Sequence, residues 1–345
     1  MAEKKVTIGD IARRAGVSKS TVSRYLNHGY ISEEKAACIE KIVQETGYQA
    51  NFFAKRLKMK QSKLIGIVLP RVDSVSAGRL LTGINRILEP AGYQGLLLVS
   101  SLQTQKEIDA ILSLSQQGVD GIIVDSVGIT TQHEALVQRL ELPVVFTGQR
   151  RYGLRCLKID DYAAGRLMGA YLRQMGHEHA VFLGVSERDR AVGCERKQGF
   201  IDAFTGEREA TVDFLETGFD FASAYAQGAA LLERWRAGAT VAACATDNIS
   251  LGVLRYCHER GVRVPDALSV TGFGGYDVGA VVYPALTTVA FDYELVGAKT
   301  AQYLLDAIEG KERDLGPLPL HFVERESVKK IGEAAGPKGA YDALA

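Results

Sequence analysis

The sequence predicts an α/β protein in three parts: a three-helix N-terminal unit of the helix-turn-helix kind, a short basic linker, and a two-subdomain body of doubly wound parallel sheet. Three observations predict it. Residues 7–27 carry two short helical periods separated by a glycine. From Lys63 onward, short β-branched runs alternate strictly with amphipathic segments, the pattern of a parallel sheet covered on both faces. Charge is also divided: residues 1–62 hold 12 Lys and Arg against 6 Asp and Glu, a net +6, while the rest hold 29 against 35, a net −6.

The first helix opens with Thr7 and Asp10 at capping-box spacing, and Ile8, Ile11, Ala12 and Ala15 share one face. Gly16 ends it. Ser18 caps a second helix whose inward residues are Val22 and Leu26, so Lys19, Ser20, Ser23 and Arg24 point outward. These are short polar or cationic groups suited to base edges and phosphates. Ser32, Glu33 and Glu34 start a third helix, with acids at the positive dipole end; Ile39, Ile42 and Val43 close a small core, and Gly47 stops it. A protein-interaction module is the alternative for such a unit. The capping pattern, the outward cations and the +6 charge favour nucleic acid.

Residues 49–62 are basic and too poor in apolar side chains for a core helix, so they read as a linker. Strands are expected at 64–69, 95–99, 121–124, 144–147, 180–185, 212–215, 242–245, 268–272 and 288–291. Helices are expected at 78–91, 106–117, 162–175, 222–236, 249–259 and 293–309. Nine strands suit two similar subdomains better than one wide sheet, and a cleft at the carboxyl ends of their strands is the default ligand site. The glycine-rich tail 332–345 has no heptads, and disorder is expected there.

The five cysteines include no Cys-x-x-Cys spacing, which favours reduced core thiols. The N-terminus lacks the apolar stretch of a signal peptide, and no run approaches 18 apolar residues, so a soluble cytoplasmic chain is expected. Catalytic patterns are weak. His177-Glu-His179 is not His-Glu-x-x-His, Gly-x-Ser-x-Gly does not occur, and the glycines at 272, 274 and 275 lack the Lys-Ser/Thr of a phosphate loop and read as a flexible cleft wall. No enzyme, cofactor or metal site is expected.

The stretch Val6-Thr-Ile-Gly-Asp-Ile-Ala-Arg-Arg-Ala-Gly-Val-Ser-Lys-Ser-Thr-Val-Ser-Arg-Tyr-Leu-Asn27 resembles the helix-turn-helix of the lactose/galactose repressor family of bacterial transcription regulators. The likeness continues through Asn51-Phe-Phe-Ala-Lys-Arg-Leu57, Leu64-Ile-Gly-Ile-Val, Val119-Asp-Gly-Ile-Ile, Met175-Gly-His, Arg196-Lys-Gln-Gly-Phe, Ala245-Thr-Asp247 and Leu286-Thr-Thr-Val, spanning about residues 6–325. It implies a homodimer on palindromic operator DNA, with a body like periplasmic sugar-binding proteins. By the same matching, Lys19, Ser20 and Arg24 read major-groove edges, and Thr7, Thr21, Ser23 and Asn27 lie near phosphates. Asn51, Ala54 and Leu57 belong to a hinge helix in the minor groove, where Leu57 wedges into the central base step at a cost of a few kcal/mol. Effector binding separates and melts the two hinge helices; a co-repressor uses the same parts with the opposite sign. The implied divisions are 1–49, 50–62, 63–331 for effector binding and dimerisation, and the tail 332–345.

In the cleft, Arg196 matches the family arginine that hydrogen-bonds sugar hydroxyls, Asp247 matches a carboxylate position, and Asp125 follows a strand at the cleft edge. Phe219, Phe221 and Phe291 supply either an aromatic platform or core. One departure stands out. Gly272-Phe-Gly-Gly-Tyr276 replaces the usual Gly-Phe/Tyr-Asp-Asp, so a common sugar-binding carboxylate is missing. Instead, Pro70-Arg71-Val-Asp73-Ser74-Val-Ser76 resembles the sucrose and trehalose repressor subgroup and puts an arginine and two serines at a helix start, an anion site by geometry. Gln149, Arg150 and Arg151, after the fourth strand, reach the same end. The expected effector is a small sugar, a phosphorylated disaccharide, with Arg71, Ser74 and Ser76 on the phosphate. The alternative for Arg71 is an ion pair with Asp73. The rival function is a stand-alone cytoplasmic sugar-binding protein.

Overall fold

The computed structural model describes residues 6–26, 29–48, 61–206, 209–313 and 316–332. Two compact units divide the chain, 1–62 and 63–345. The expected hinge helix with Asn51, Ala54 and Leu57, the residue Asn27 and most of the tail lie outside the described residues.

The first unit packs α1 (Ile8–Arg14), α2 (Lys19–Leu26) and α3 (Glu33–Thr46) around Ile11, Ala12, Val22, Ile39 and Ile42. Its start is the expected capping box: the Asp10 N–H donates to Thr7 Oγ1 at 3.4 Å, and the Thr7 N–H donates to Asp10 Oδ2 at 3.0 Å. The Thr21 N–H donates to Ser18 Oγ at 3.2 Å, which caps α2. Gly47 closes α3 in the left-handed region at φ 58°, where a side chain would be strained.

The body holds two sheets. The first, in the order β2-β1-β3-β4-β5, is wholly parallel: β1 (Leu64–Leu69), β2 (Gln94–Val99), β3 (Gly121–Asp125), β4 (Val144–Thr147) and β5 (Arg155–Leu157). Its connecting helices are α4 (Val75–Leu88), α5 (Thr104–Gln116) and α6 (Thr131–Val137). The second contains β6 (His179–Gly184), β7 (Thr211–Glu216), β8 (Val241–Cys244), β9 (Ser269–Gly274), β10 (Thr287–Phe291) and β11 (Leu320–Val323), in the order β11-β10-β9-β8-β6-β7. Only β11 runs antiparallel there. Around it lie α7 (Asp161–Gln174), a π-helix (Arg190–Arg196), α8 (Lys197–Thr205), α9 (Phe221–Ala226), α10 (Gly228–Arg236), α11 (Asp247–Glu259) and the short α12 (Val278–Val281).

Central strands are apolar throughout because helices cover both faces. Ile65, Ile67, Ile123 and Val145 face one core, and Val68, Ile122, Val124 and Phe146 face the other. The expected single helix at 222–236 is two: Gln227 breaks it, and Gly228 passes so close to Tyr256 that a Cβ would lie 2.1 Å from the ring. β5, β11, α6, the π-helix and α8 were not expected.

After β10 in the second sheet, α13 (Tyr293–Ile308) packs on α4 of the first subdomain, and the chain then returns as β11. The α4–α13 crossing runs through two glycines. A Cβ on Gly83 would sit 2.0 Å from the Glu294 carbonyl oxygen, and one on Gly297 would sit 2.1 Å from that of Leu80. Backbone cannot yield as a side chain can, so Gly297→Ala is expected to destabilise the body by about 1–3 kcal/mol. Gly78→Ala, on the same α4 with open space around it, should be neutral or stabilising by up to ~1 kcal/mol. Thermal melting of the two variants beside the parent checks both.

Candidate functional site

The carboxyl ends of both sheets face a cavity of about 160 Å³. Pro70, Arg71, Ser74 and Ser76 reach it from the end of β1 and the start of α4, Asp125 and Ser126 from the end of β3, and Thr147, Gly148 and Gln149 from the end of β4. Asp161, Asp189, Arg196, Phe219, Asn248, Tyr276 and Tyr293 reach it from the second subdomain and the chain crossings. Seven of the expected residues therefore meet there: Arg71, Ser74, Ser76, Asp125, Gln149, Arg196 and Phe219.

Arg196 is buried and committed. Its Nε and Nη2 donate to Asp161 Oδ1 at 3.0 and 2.5 Å, and its Nη1 donates to the Ala245 carbonyl at 2.6 Å. The guanidinium lies 5.1 Å from the ring centre of Phe273 and 5.0 Å from that of Phe291. Phe291 is therefore a floor beneath the arginine and not part of the cavity lining. Arg71 lies 5.6 Å from the Phe219 ring, with Nε on the exposed Asp73 at 2.8 Å. That pairing leaves its two terminal nitrogens without a partner among the described residues. Ser74 caps α4 by accepting from the Ala77 N–H at 3.1 Å, and its hydroxyl lies 3.1 Å from that of Ser76.

Besides Phe291, four expected cleft residues stand elsewhere. Asp247 is fully buried, with Oδ2 accepting from the Tyr276 N–H and Oδ1 from the Thr288 hydroxyl, each at 2.7 Å. It anchors the Gly274-Gly275-Tyr276 turn, so the expected flexible wall is tied down. Phe221 is exposed on α9 and stacks on Tyr225. Arg150 is exposed and outside the lining, and Arg151 is spent on Glu134 and the Ile129 carbonyl.

Asp161, Asp189, Asn248, Tyr276 and Tyr293 are cavity residues the sequence reading missed. Asp189 lies in the run Ser186-Glu-Arg-Asp-Arg190, which reads as a solvated charge cluster; its place just past a strand end was the usable signal. Leu102 reaches the lining from a turn in which Ser101 and Leu102 are both left-handed, at φ 53° and 60°, a strained pair of the kind that gathers at binding sites.

Two carboxylates are perturbed. Burial, with the charges of Glu107 and Asp189, pushes Asp125 up to about 7. Burial also raises Asp189 to about 6, against the backbone N–H groups that favour its charged form.

In the first unit, Lys19, Ser20 and Arg24 are exposed on α2, while Thr21 and Ser23 are partly covered. The Thr7 hydroxyl serves its capping box, and that of Thr21 lies 2.9 Å from the Ser18 hydroxyl.

Residues 7–51 match the model of bacterial regulatory proteins of the lacI family, and residues 170–328 match that of the periplasmic binding protein-like domain. The sucrose operon repressor of Staphylococcus xylosus is 33% identical over 302 residues, 88% of this chain and 93% of its own length. The chain belongs to the lacI family. It is a DNA-binding transcriptional repressor of that family. The regulator TreR of Salmonella typhimurium is 25% identical over 90% of this chain and 96% of its own. The fold of the lac repressor dimer, solved with operator and the anti-inducer ONPF, matches with a TM-score of 0.85 at 24% identity, over 94% of this chain and all of that one. None of the described helices is long and apolar enough to cross a membrane.

Because folded Asp125 holds its proton more tightly than an unfolded aspartate does, the folded state loses stability as pH rises from about 4 to 7, and the loss then levels off. An amide escapes that loss. Asp125→Asn should therefore gain on the parent across this window by on the order of 1–2 kcal/mol after solvent screening. Melting scans of both proteins from pH 4 to 8 check it; a difference independent of pH would contradict the raised value.

Proposed function

We propose that this repressor controls a sucrose- or trehalose-type sugar-utilisation operon, holds its palindromic operator as a homodimer, and is released by a small sugar, a phosphorylated disaccharide. The observation that carries the phosphate is Arg71, with two uncommitted nitrogens, beside the Ser74 and Ser76 hydroxyls at the start of α4. Phe219 offers a sugar face next to it, and Gln149 and Arg196 line the same cavity. The likeness to a sucrose operon repressor supports the operon type. Binding shifts the balance between two arrangements of the subdomains, and the hinge at 51–58 with Leu57 transmits the shift to DNA. A differential affinity of ~1–3 kcal/mol suffices.

A second reading has one observation in its favour: Arg196 is neutralised by Asp161, and Asp125 and Asp189 add two more carboxylates, a balance that suits an unphosphorylated sugar. Calorimetry with sucrose and sucrose 6-phosphate separates the two. The phosphate reading expects the phosphorylated sugar to bind at least tenfold more tightly, with the preference lost in Arg71→Gln. Equal affinity for both sugars would reject it.

On the DNA side, Lys19, Ser20 and Arg24 are the proposed readers. Arg24→Ala should relax sequence preference by ~1–3 kcal/mol at one base pair. Gel shifts on the upstream region of its own gene and on scrambled DNA test this; an equal loss on both would make Arg24 a phosphate contact.

A further inference from the structure

We propose that Asp189 is a specificity-determining residue of the cleft, acting with Asp125 to accept hydroxyls from the neutral portion of the effector and so bridging the two subdomains through the ligand. The proposal rests on the sugar reading above and deepens it.

Asp189 is aimed by the π-helix. It stands at the N-terminus of that helix, its Oδ1 accepting from the Val192 N–H at 2.9 Å, and Arg196 closes the same segment; both line the cavity. Such wide turns recur at functional sites. Asp125 comes from the other subdomain, at the end of β3. It is pressed close to Gly148, where a Cβ would lie 2.9 Å from Asp125 Oδ1. The two loops meet directly, since the Arg190 N–H donates to the Val127 carbonyl at 3.3 Å.

Among the described residues neither carboxylate has an ion-pair partner. The charged groups around them do not fill that role. Glu107 on α5 faces Asp125, and its own Oε1 lies 3.0 Å from His133 Nε2. Asp161 and Arg196 face Asp189 but are bound to each other. Two half-enclosed carboxylates with no ion pair of their own call for donors beyond the Val192 N–H, and a polyol supplies them as neutral hydroxyls. A phosphate beside these carboxylates would meet two like charges, so an anionic group belongs at Arg71, whose terminal nitrogens are uncommitted.

Hydroxyl donors favour the ionised carboxylate. With the pair partly protonated near neutrality, binding at pH 6.5 should expel protons. Titration calorimetry of the full chain with sucrose and with sucrose 6-phosphate, in buffers of different ionisation enthalpy, reads that release directly. For the parent, proton release on binding is expected. Asp189→Asn should weaken both sugars about tenfold or more by the same factor and reduce the release, leaving any preference for the phosphorylated sugar intact. Asp125→Asn repeats the test should the first variant fail to fold. Unchanged affinity in both variants, proton uptake, or no proton exchange would overturn the proposal. A folded parent that binds neither sugar would instead overturn the sugar reading beneath it.

Discussion

The cleft depends on one buried ion pair. Asp161, on the first turn after the chain enters the second subdomain, holds Arg196 by two hydrogen bonds, while Ala245 takes a third and two phenylalanine rings lie beneath. Removing one partner from such a pair leaves an uncompensated charge at a cost of about 3–5 kcal/mol. Because the pair ties the end of the π-helix to the start of α7 and the residue just past β8, one strand end and two helix ends share one reference point. The same commitment fixes the polarity of the cavity. With Arg196 tied to Asp161, Arg71 is the lining arginine whose terminal nitrogens have no partner among the described residues.

The second organising element is the turn after β9. Family resemblance places a sugar-binding carboxylate here, and this chain has two glycines. They are structural: a Cβ on Gly275 would lie 2.3 Å from that of Ala290, and both glycines sit at positive φ. Asp247 fastens the turn from below, so Tyr276 closes the wall within reach of Ser76. Arg79 of α4 adds a bond to the Gly275 carbonyl at 3.2 Å and one to Asp277 at 3.0 Å. What reads as a lost ligand contact is a crossing point between subdomains.

Sequence patterns revealed most of the fold because burial on both faces leaves an unmistakable signal, as in Leu64–Leu69 and Val241–Cys244. They missed β5 and β11, which are three and four residues long and lie at sheet edges, where polar side chains such as Arg155 and His321 interrupt the pattern. The π-helix has no periodicity a helical template would catch. In the cleft, residues near strand ends were legible as a class, but their partners were not. Arg196 and Asp247 both look like free polar groups in one dimension, and only the fold shows one spent on Asp161 and the other on a backbone turn. Phe291 was placed on the right strand with platform and core both left open, and its ring lies beneath Arg196.

The path of α13 has a consequence for how the protein is made. The first sheet is complete by β5, yet one of its faces, built from Ile65, Ile67, Ile123 and Val145, is covered in part by α13, a helix synthesised after nearly all of the second subdomain. Emerging from the ribosome, the first subdomain therefore waits with apolar surface uncovered, and neither half can be cut out as one continuous stretch. A chain of this design is exposed to aggregation and chaperone capture until α13 has been translated, which makes truncations that remove it more damaging than their length suggests.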